Sequence, residues 1–475
     1  TDPRLVLNIA VSGQGHVSRE PDEDGLFSHI DFSGGAIVAV SGGSDSTALL
    51  LLLKRYLDRA RPTAKLLAVT IDHRLRPESA DEAGAVAQLC ASHSIRHRVL
   101  SWQGPKPGTG LPAAAREARY RLLAQAARED GAGMVLTGHT ADDQAETVLM
   151  RSARANGAVG GGYGLAGMAP ATLYDGTVWI MRPLLATRRA ALRAWLAGRG
   201  VGWSDDPTNE NSAFERPRLR AALAGSGDAG FAGALAIAAR AAETRTDLGR
   251  RAAALIRMHA DRPVPGLMRL ALDFVAEPDR PAVLHALRIL IATAGGSRFL
   301  PDRARTEALL GRLEAVHSRH PLRATLSHAV IDRRAAGLFL HRERRDLPPA
   351  VTVAGGMIWD GRCLITACDG GDGFLIAARA TVASAGGAPV ADGVPSSLAG
   401  AAFAAEPALF AAESGRSEGS PGAMKALPAM VFPVAAPFAQ FLPCFDLAPA
   451  RAVAGLAGAG AVAAPPWAGA GGVRP

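Results

Sequence analysis

The chain has 475 residues, 48% of them apolar and 5% aromatic, with a formal net charge of +8. This length exceeds that of one typical domain, and the apolar content is enough for real cores, so two or three domains are expected. No apolar run approaches the ~18 residues of a membrane span. The four scattered cysteines do not suit a disulfide framework or a zinc site. The positive charge comes almost entirely from arginine, which is typical of proteins that bind nucleic acid.

The chain begins with an extension, residues 1–33, that leans acidic and lacks the basic start of a signal peptide. A cytoplasmic protein is therefore expected. From Gly34 onward, short apolar runs alternate with helical stretches. The predicted strands are Ala36–Val40, Leu66–Ile71, Arg98–Trp102 and Met134–Thr137. This alternation predicts an α/β fold with a doubly wound parallel sheet, in which ligands bind at the carboxyl ends of the strands.

The segment Ser41-Gly42-Gly43-Ser44-Asp45-Ser46 joins the first strand to a long, unbranched apolar run that favours a helix. Strand, Gly/Ser loop and helix together form an anion site, because the first helical turn offers unpaired N–H groups and the positive end of the dipole. The loop has neither a Walker A lysine nor a G-x-G-x-x-G pattern. We interpret it as a phosphate cradle for ATP. The alternative is an ordinary tight turn with Ser and Asp as helix caps.

Polar residues also follow two other predicted strands. Asp72 and His73 come directly after the second strand, and His139 comes after the fourth. Because they lie at carboxyl ends of strands, they are expected to face the same crevice as the Ser41–Ser46 loop. The alternative for Asp72 and His73 is a polar loop that begins a helix. His139 is interpreted as a hydrogen-bond partner rather than a base.

A predicted helix over Leu111–Glu129 carries Arg116 and Arg119. An arginine aimed at the α-phosphate of ATP would stabilise the charge that develops in the transition state of adenylation. A solvated basic helix face is the alternative.

A second charged helix is predicted to begin at Thr140, with Asp142, Asp143 and Glu146 in its first turns. Three carboxylates near a phosphate loop suit Mg²⁺, which prefers oxygen ligands. They could equally be favourable charges at the N-terminus of a helix. Thr140 and Asp143 are spaced as a capping box.

The composition changes twice after the predicted catalytic domain, residues 34–221. Residues 222–345 are rich in Ala, Leu and Arg, which favours a separate helical domain. Residues 346–450 contain strand-like alternation, which indicates a small α+β domain. The Ala/Gly/Pro-rich residues 451–475 are expected to form a poorly ordered tail.

The motif S-G-G-S-D-S after a strand resembles the PP-loop of the ATP pyrophosphatase superfamily, which implies a Rossmann-like catalytic domain. With three further motifs in the same order, the chain is similar to the tRNA(Ile)-lysidine synthetase family. These motifs are D-H-x-L-R-P-E-S at 72–79, A-R-x-x-R-Y at 115–120 and G-H-x-x-D-D-Q-A-E-T at 138–147. The resemblance is close over residues 36–220 and loose beyond them.

This resemblance implies ligation of free lysine to C2 of the wobble cytidine, position 34, of a CAU-anticodon tRNA(Ile). The reaction would pass through an adenylated cytidine and release AMP and pyrophosphate, with ATP and Mg²⁺ as cofactors. From the motifs and the resemblance together, the predicted catalytic residues are Asp45, Arg116, Arg119 and Asp143. The predicted nucleotide-binding residues are Ser41, Gly42, Gly43, Ser44, Asp45, Ser46, Asp72, His73 and His139. The predicted metal ligands are Asp45, Asp143 and Glu146, and the predicted RNA contacts are Arg216, Arg218, Arg220, Arg342, Arg344 and Arg345.

Two other functions stay open. The first is a different PP-loop enzyme, such as a tRNA thiolase or an amide-forming synthetase. Thiolation generally needs catalytic cysteines or a cluster, and Cys90 is the one cysteine inside the predicted catalytic domain. The second is a non-catalytic RNA-binding protein that kept the fold, against which the intact phosphate loop and its carboxylates argue.

Overall fold

A computed structural model describes residues 20–75, 79–155, 162–205, 215–315, 321–353, 356–366, 374–381, 387–411 and 430–468. The chain divides into two compact units. The first contains residues 1–246, 443–445 and 463–475, and the second contains residues 247–442 and 446–462. Within the described ranges, no helix is long and apolar enough to cross a membrane.

The first unit opens with alternating helices and strands. They are α1 (Glu23–Phe27), β1 (Ala36–Ala39), α2 (Ser44–Ala60), β2 (Leu66–Asp72), α3 (Ser79–Ser92), β3 (Arg96–Ser101), α4 (Leu111–Asp130) and β4 (Met134–Thr137). They are followed by α5 (Ala141–Ala155), α6 (Gly162–Leu165), β5 (Ala171–Tyr174), β6 (Val178–Met181) and α7 (Arg189–Ala197). The 45-residue helix α8 (Glu215–His259) contains the position at which the two units are divided.

Six strands of this unit lie in the order β5-β6-β4-β1-β2-β3. The central strand β1 pairs in parallel with both neighbours, so that Val38 lies opposite Ala68 on β2 and Leu136 on β4. β2 with β3 and β4 with β6 are parallel as well, whereas β5 and β6 are antiparallel. The predicted α/β fold is confirmed, with β5 as an antiparallel strand beside the parallel ones, and the carboxyl ends of β1, β2 and β4 share one edge of the sheet.

The core of this unit fixes the helix that follows β1. The run Leu49–Leu53 on α2 is buried throughout, as expected for a helix that is apolar on all sides. Each fully buried leucine contributes about 1.5–3 kcal/mol relative to an exposed one. On another part of the sheet, Leu123 of α4 packs against Ile37 and Val135. The N-terminus of α2 is therefore held firmly against the end of β1.

The second unit contains one five-stranded sheet and two three-stranded sheets. Its first elements are β7 (Ala260–Val264), β8 (Leu267–Leu270), α9 (Arg280–Gly295), α10 (Arg303–Ala315), β9 (Leu322–Leu326), β10 (Ala329–Arg334) and β11 (Gly337–Arg342). Then come β12 (Val351–Thr352), β13 (Met357–Trp359), β14 (Cys363–Thr366), β15 (Phe374–Ala378), α11 (Ser396–Ala404), β16 (Pro407–Ala411), β17 (Met430–Pro433), β18 (Phe441–Pro443) and α12 (Leu447–Ala457). The antiparallel sheet β7-β8-β11-β10-β9 packs with the almost entirely buried α9.

Residues 222–345 are thus less helical than their composition predicts. Five strands lie between α8 and the end of this segment. The hairpin between β9 and β10 turns at Ser327 and His328, both of which have positive φ. Alanine and arginine are helix formers by propensity, but cross-strand pairing and burial override that preference.

The two ends of the described chain meet within the first unit. Ile30 and Trp467 form an isolated antiparallel bridge, and the Ala468 N–H donates to the His29 carbonyl oxygen at 2.7 Å. Residues 451–457, predicted to belong to a poorly ordered tail, lie in α12. In the predicted N-terminal extension, Phe27 of α1 is fully buried. The domain limits derived from composition remain predictions.

Candidate active site

The phosphate loop follows β1 and ends in the first turn of α2. Gly42 has a φ of +82°, which L side chains rarely adopt. Ser46 ties the loop to the helix, because its Oγ accepts the Ser41 N–H at 3.1 Å and donates to the Gly43 carbonyl oxygen at 3.1 Å. Gly43 is the N-cap of α2 and makes no side-chain cap. The N–H groups of the first turn can therefore bind an anion such as a phosphate.

Two distant segments hold this loop in place. A Cβ atom on Gly138, at the end of β4, would lie 2.9 Å from the backbone of Asp45 and Ser46, so only glycine fits this close approach. From another side, the Ser204 N–H donates to the Gly42 carbonyl oxygen at 2.9 Å. The loop is therefore held in a fixed position relative to the end of β4.

Asp72, at the end of β2, is engaged in its own loop. Its Oδ1 accepts the Arg74 N–H at 2.8 Å and the Ser79 hydroxyl at 2.9 Å. Burial would raise the pKa of Asp72, but these hydrogen bonds and the charge of Arg74 outweigh it and hold the pKa below its usual range. The carboxylate therefore shapes the loop that follows β2, next to the predicted nucleotide site.

His73 follows Asp72 and packs edge-on against Trp102, with ring centroids 6.0 Å apart. Burial lowers the pKa of His73, and the positive charges of Arg119 and Lys106 lower it further, whereas Asp72 opposes them. The imidazole is therefore neutral near pH 7 and lies within the field of Arg119.

The arginines of α4 form a basic group. Arg116 and Arg119 are open to solvent, and neither forms an ion pair with a described carboxylate. Arg119 is nevertheless surrounded by protein on most sides, and this desolvation lowers its pKa. The buried Arg182 lies on the same side, where burial would raise the pKa of Tyr120 but Arg182 and Arg116 lower it on balance. Among the described residues, no carboxylate pairs with Arg116 or Arg119, so this side of the site carries positive charge.

His139 lies between the basic group and the carboxylates. Its Nδ1 is 2.9 Å from the Thr137 Oγ1. Burial is the main cause that lowers the pKa of His139, to about 3, and the charge of Arg182 adds to it, while Asp143 opposes both. His139 is therefore neutral and only a weak base at physiological pH, and its predicted hydrogen-bonding role stays a prediction.

The predicted capping box at the start of α5 is confirmed. The Asp143 Oδ2 accepts the Thr140 N–H at 2.8 Å and the Thr140 hydroxyl at 2.9 Å. This arrangement leaves the other carboxylate oxygen, Oδ1, directed away from the cap. Asp143 is thereby rigidly oriented before any ligand binds.

Arg189, at the start of α7, brings the carboxylates of two motifs together. Its Nε donates to the Asp45 Oδ2 at 2.7 Å, and its Nη2 donates to the Asp143 Oδ1 at 3.0 Å. Its backbone N–H donates to the Asp142 Oδ2 at 2.7 Å, and its Nη1 lies 4.0 Å from the Glu146 Oε1. Asp45 and Asp143, from the ends of different strands, are therefore neighbours around one guanidinium.

The two carboxylates differ in their electrostatics. Burial raises the pKa of Asp45, and repulsion from Asp143 adds to it, whereas Arg189 opposes both without offsetting them. Burial also acts on Asp143, but Arg189 and the Thr140 hydrogen bonds hold the pKa of Asp143 below its usual range. Asp143 is thus a stable anion, and Asp45 ionises at an energetic cost to the fold.

A second arginine of α7 faces the phosphate loop. Arg193 lies one turn after Arg189, and its Nε donates to the Ser44 Oγ at 3.2 Å. It also pairs with Asp205 and lies over the Trp203 ring, 5.5 Å from the centroid. Helix α7 therefore directs two cationic side chains at the start of α2.

The donors present fit a divalent cation in part. In the ranges that the structure describes, no group of three or more His, Cys, Asp or Glu side chains is arranged as a metal site, and Arg189 contacts the predicted set. Asp45 and Asp143 are both partly accessible, at 16% of their side-chain surface, whereas Glu146 is at 2%. Two hard carboxylates beside a phosphate loop suit Mg²⁺, which completes its shell with phosphate oxygens and water.

Sequence reasoning missed Arg189 and Arg193. Their i,i+4 spacing places them on one helix face, which the pattern could have indicated. The side of the sheet on which that helix lies depends on tertiary structure, and no local sequence pattern indicates which side this is.

The predicted RNA contacts have different outcomes. Arg342 is buried, and its guanidinium donates to both oxygens of Asp360 at 2.9–3.2 Å. It therefore has no free face for RNA, which corrects the prediction for this residue. Arg344 and Arg345 are exposed. The side chains of Arg216, Arg218 and Arg220 lie outside the described part of the chain.

Comparisons with known proteins agree with this geometry. Residues 26–226 match the family model described as PP-loop domain. A protein of Mesorhizobium japonicum named tRNA(Ile)-lysidine synthase is 57% identical over 454 residues, which cover 95% of this chain and 98% of that protein. Proteins of the same name from Brucella melitensis and Brucella ovis are 44% identical over 353 residues, covering 72% of this chain and 76% of each relative.

Proposed function

The chain belongs to the tRNA(Ile)-lysidine synthase family, and from that premise we propose that it ligates free L-lysine to C2 of the wobble cytidine of CAU-anticodon tRNA(Ile). The cytidine O2 attacks the α-phosphate of ATP and pyrophosphate leaves. The ε-amine of lysine then attacks C2, AMP leaves with the former O2 atom, and the amine loses a proton. The observation that carries the proposal is the phosphate loop, flanked by an orientated carboxylate pair on one side and, on the other, by arginines that pair with no described carboxylate.

The loop would bind the pyrophosphate that leaves. Its N–H groups belong to the first turn of a helix whose N-cap has no side chain, so they and the helix dipole favour a multiply charged anion. The Ser44 and Ser46 hydroxyls also lie in the first turn of this helix. Gly138 and Ser204 fix the loop, so little reorganisation is needed on binding.

Asp45 and Asp143 are the residues that would hold Mg²⁺, and the ion would neutralise charge on the phosphates when bound. The capping box already orients the Asp143 carboxylate. Glu146 would act through its negative charge rather than as a ligand, because it is almost completely buried.

Arg116 and Arg119 would stabilise the negative charge that develops at the α-phosphate. Neither is committed to an ion pair with a described carboxylate, so no existing pair has to break when the nucleotide binds. A preorganised donor of this kind contributes about 10²–10³-fold to turnover in other enzymes. His73 and His139, both neutral, would hydrogen-bond to the nucleotide rather than transfer protons.

The reaction needs no protein nucleophile. Burial raises the pKa of Cys90 to about 11 and that of Cys363 to about 12, and Cys444 is buried as well. A thiolase would need a reactive thiolate, and these three described cysteines do not provide one. This observation disfavours the thiolase alternative.

The tRNA would be bound mainly through arginine contacts with its phosphates. Arg344 and Arg345 are exposed candidates, and the affinity for tRNA should then fall steeply with added salt. An affinity that does not change with salt would contradict an arginine-mediated footprint. The substrates, tRNA and ATP, lead us to place the protein in the cytoplasm.

One assay tests the proposal. The protein is incubated with ATP, Mg²⁺, labelled lysine and a CAU-anticodon tRNA(Ile) transcript, with a transcript carrying uridine at position 34 as the matched control. Label is expected at the wobble cytidine of the first transcript alone, with one AMP formed per lysine. Cleavage of ATP to AMP that depends on neither lysine nor this tRNA would indicate another PP-loop enzyme. Absence of ATP turnover, with tRNA still bound, would indicate a binding protein.

A further inference from the structure

Arg189 has no role in the function proposed above, although it contacts both carboxylates of the predicted metal site. Its guanidinium donates to Asp45 at 2.7 Å and to Asp143 at 3.0 Å through two different nitrogens. The side chain is 19% exposed, so it is partly shielded from solvent but not sealed in the core. A cation therefore already lies between the two carboxylates that would hold Mg²⁺.

The start of α7 fixes where this cation lies. The Arg189 N–H donates to the Asp142 Oδ2 at 2.7 Å, and Asp142 lies next to Asp143 on α5. The backbone of Arg189 is thus attached to the helix that carries one of its side-chain partners. The other partner, Asp45, belongs to α2, so Arg189 connects the two motifs that form the site.

The carboxylates need such a connection. Their oxygens lie 2.7 Å and 3.0 Å from nitrogens of the same guanidinium, so two like charges are held close together. Without a cation between them, two partly buried carboxylates would separate or share a proton. The planar guanidinium can serve two carboxylates at once through separate N–H groups, which a lysine ammonium does with less geometric specificity.

We propose that Arg189 is a positioning residue for the adenylation step: it holds Asp45 and Asp143 together in the nucleotide-free enzyme and releases them to the divalent cation that binds with ATP. The protein side chain and the metal ion then compete for the same two carboxylates. This inference rests on the assignment of Asp45 and Asp143 as metal ligands in the function proposed above.

Competition of this kind predicts that loss of Arg189 changes metal affinity and turnover in opposite directions. Replacement of Arg189 by an uncharged residue of similar length should tighten binding of a divalent cation to the nucleotide-free protein, because the carboxylates lose their internal counter-charge. The same replacement should slow turnover, because the carboxylates lose their fixed spacing. A residue that merely supported the fold would weaken metal binding or leave it unchanged.

The experiment measures Mn²⁺ binding to the nucleotide-free protein at pH 8, from the electron paramagnetic resonance signal of free Mn²⁺, together with kcat and the KM for Mg²⁺ in lysine ligation. For Arg189→Met we expect a Mn²⁺ affinity about tenfold higher and a kcat about tenfold to a hundredfold lower. Arg193→Met is the matched control, since it removes the same charge one turn away on α7 and contacts Ser44 instead of the pair. Its Mn²⁺ affinity should stay within about twofold of the unmodified protein.

Two outcomes would overturn the inference: an unchanged or weaker Mn²⁺ affinity in Arg189→Met, or an unchanged kcat. Asp143→Asn separates this failure from failure of the ligand assignment, because it must abolish Mn²⁺ binding if Asp143 is a ligand. If Arg189→Met does not fold, Arg189→Lys carries the test. It keeps the charge but loses the two-pronged geometry, so kcat should fall several-fold at nearly unchanged Mn²⁺ affinity, and an unchanged kcat counts against the positioning role.

Discussion

The charged side chains on the two sides of the phosphate loop differ in whether they have partners within the protein. On the carboxylate side, Asp45 and Asp143 share the guanidinium of Arg189, so their charges are largely compensated within the protein. On the arginine side, Arg116 and Arg119 have no described carboxylate partner, and after burial and the charge of Arg182 their charges also lower the pKa of His139. The first side is assembled before substrate arrives, and the second keeps its charge available for an anion. Variants on the two sides should therefore separate effects on stability from effects on activity.

The largest effect on activity is expected on the carboxylate side. Asp45→Asn and Asp143→Asn should each lower kcat/KM for ATP by about 10³-fold, because each removes a ligand and a partner of Arg189. Their effects on stability should differ in size. Asp143, whose pKa is held low, stabilises the fold as an anion, so Asp143→Asn should lower the free energy of unfolding by about 1–2 kcal/mol. Asp45, whose pKa is raised, should be replaced without loss of stability.

The measurements for this pair are single-turnover adenylation and urea unfolding. Asp58→Asn serves as the control, since Asp58 lies on the same helix as Asp45 and makes an exposed ion pair with Lys54. It should change neither quantity appreciably. Equal destabilisation by Asp45→Asn and Asp143→Asn would contradict the electrostatic difference between the two carboxylates.

A smaller effect on activity, with no loss of stability, is expected on the arginine side. Arg119→Ala should lower the rate of adenylation by about 10²-fold, because a donor to the developing phosphate charge is lost. Its melting temperature should be unchanged or slightly higher, because desolvation and the nearby Arg116 already disfavour the charge of Arg119 in the folded protein. Rapid-quench kinetics and calorimetry measure the two quantities.

Arg121→Ala is the control for this variant, since Arg121 is an exposed residue of the same helix. A drop in melting temperature for Arg119→Ala comparable to that of Asp143→Asn would show that Arg119 has a structural partner. The comparison between the two sides would then fail.

A substitution at Gly138, which lies against the phosphate loop, tests whether ATP binding depends on the conformation of that loop. Gly138→Ala would place a methyl group 2.9 Å from the backbone of Asp45 and Ser46, so the loop must shift by several tenths of an ångström. We expect ATP affinity to fall by about tenfold, with the chain still folded. Gly133→Ala is the matched control, because a Cβ atom there meets no atom within 4 Å. Equal ATP affinities in the two variants, measured by calorimetry, would mean that the loop tolerates the shift.

Much of this arrangement was predictable because local patterns carry it. The family predicted from the order of the motifs is confirmed by relatives that match almost the whole chain. The meeting of Asp45 and Asp143 follows from strand order, since β1 and β4 are neighbours in the sheet. The capping box at Thr140 follows from spacing alone.

Other features could not be predicted, because they depend on contacts between distant segments. Arg189 contacts Asp45 across 144 positions of the chain, and nothing around either residue indicates the pairing. Arg342 belongs to an arginine-rich run that is typical of a surface, but Asp360, 18 positions away, makes it part of a buried ion pair. Whether a charged residue is exposed thus depends on its partner. The local sequence pattern does not show which residue that partner is.

The smallest effect on activity is expected at His139, which lies between the two sides. Burial and the positive charge of the arginine side lower the pKa of His139 to about 3 in the folded chain, whereas an unfolded chain has a pKa near 6.5. Because the unfolded state binds the proton first, the free energy of unfolding should fall as the pH decreases from about 6.5 toward 3. His139→Gln keeps a hydrogen-bonding side chain without this titration, so its activity should fall only a few-fold, and its loss of stability on acidification should be shallower. Urea unfolding of both proteins between pH 7 and pH 4.5 gives the comparison, and parallel curves would mean that the arginine side does not keep His139 neutral.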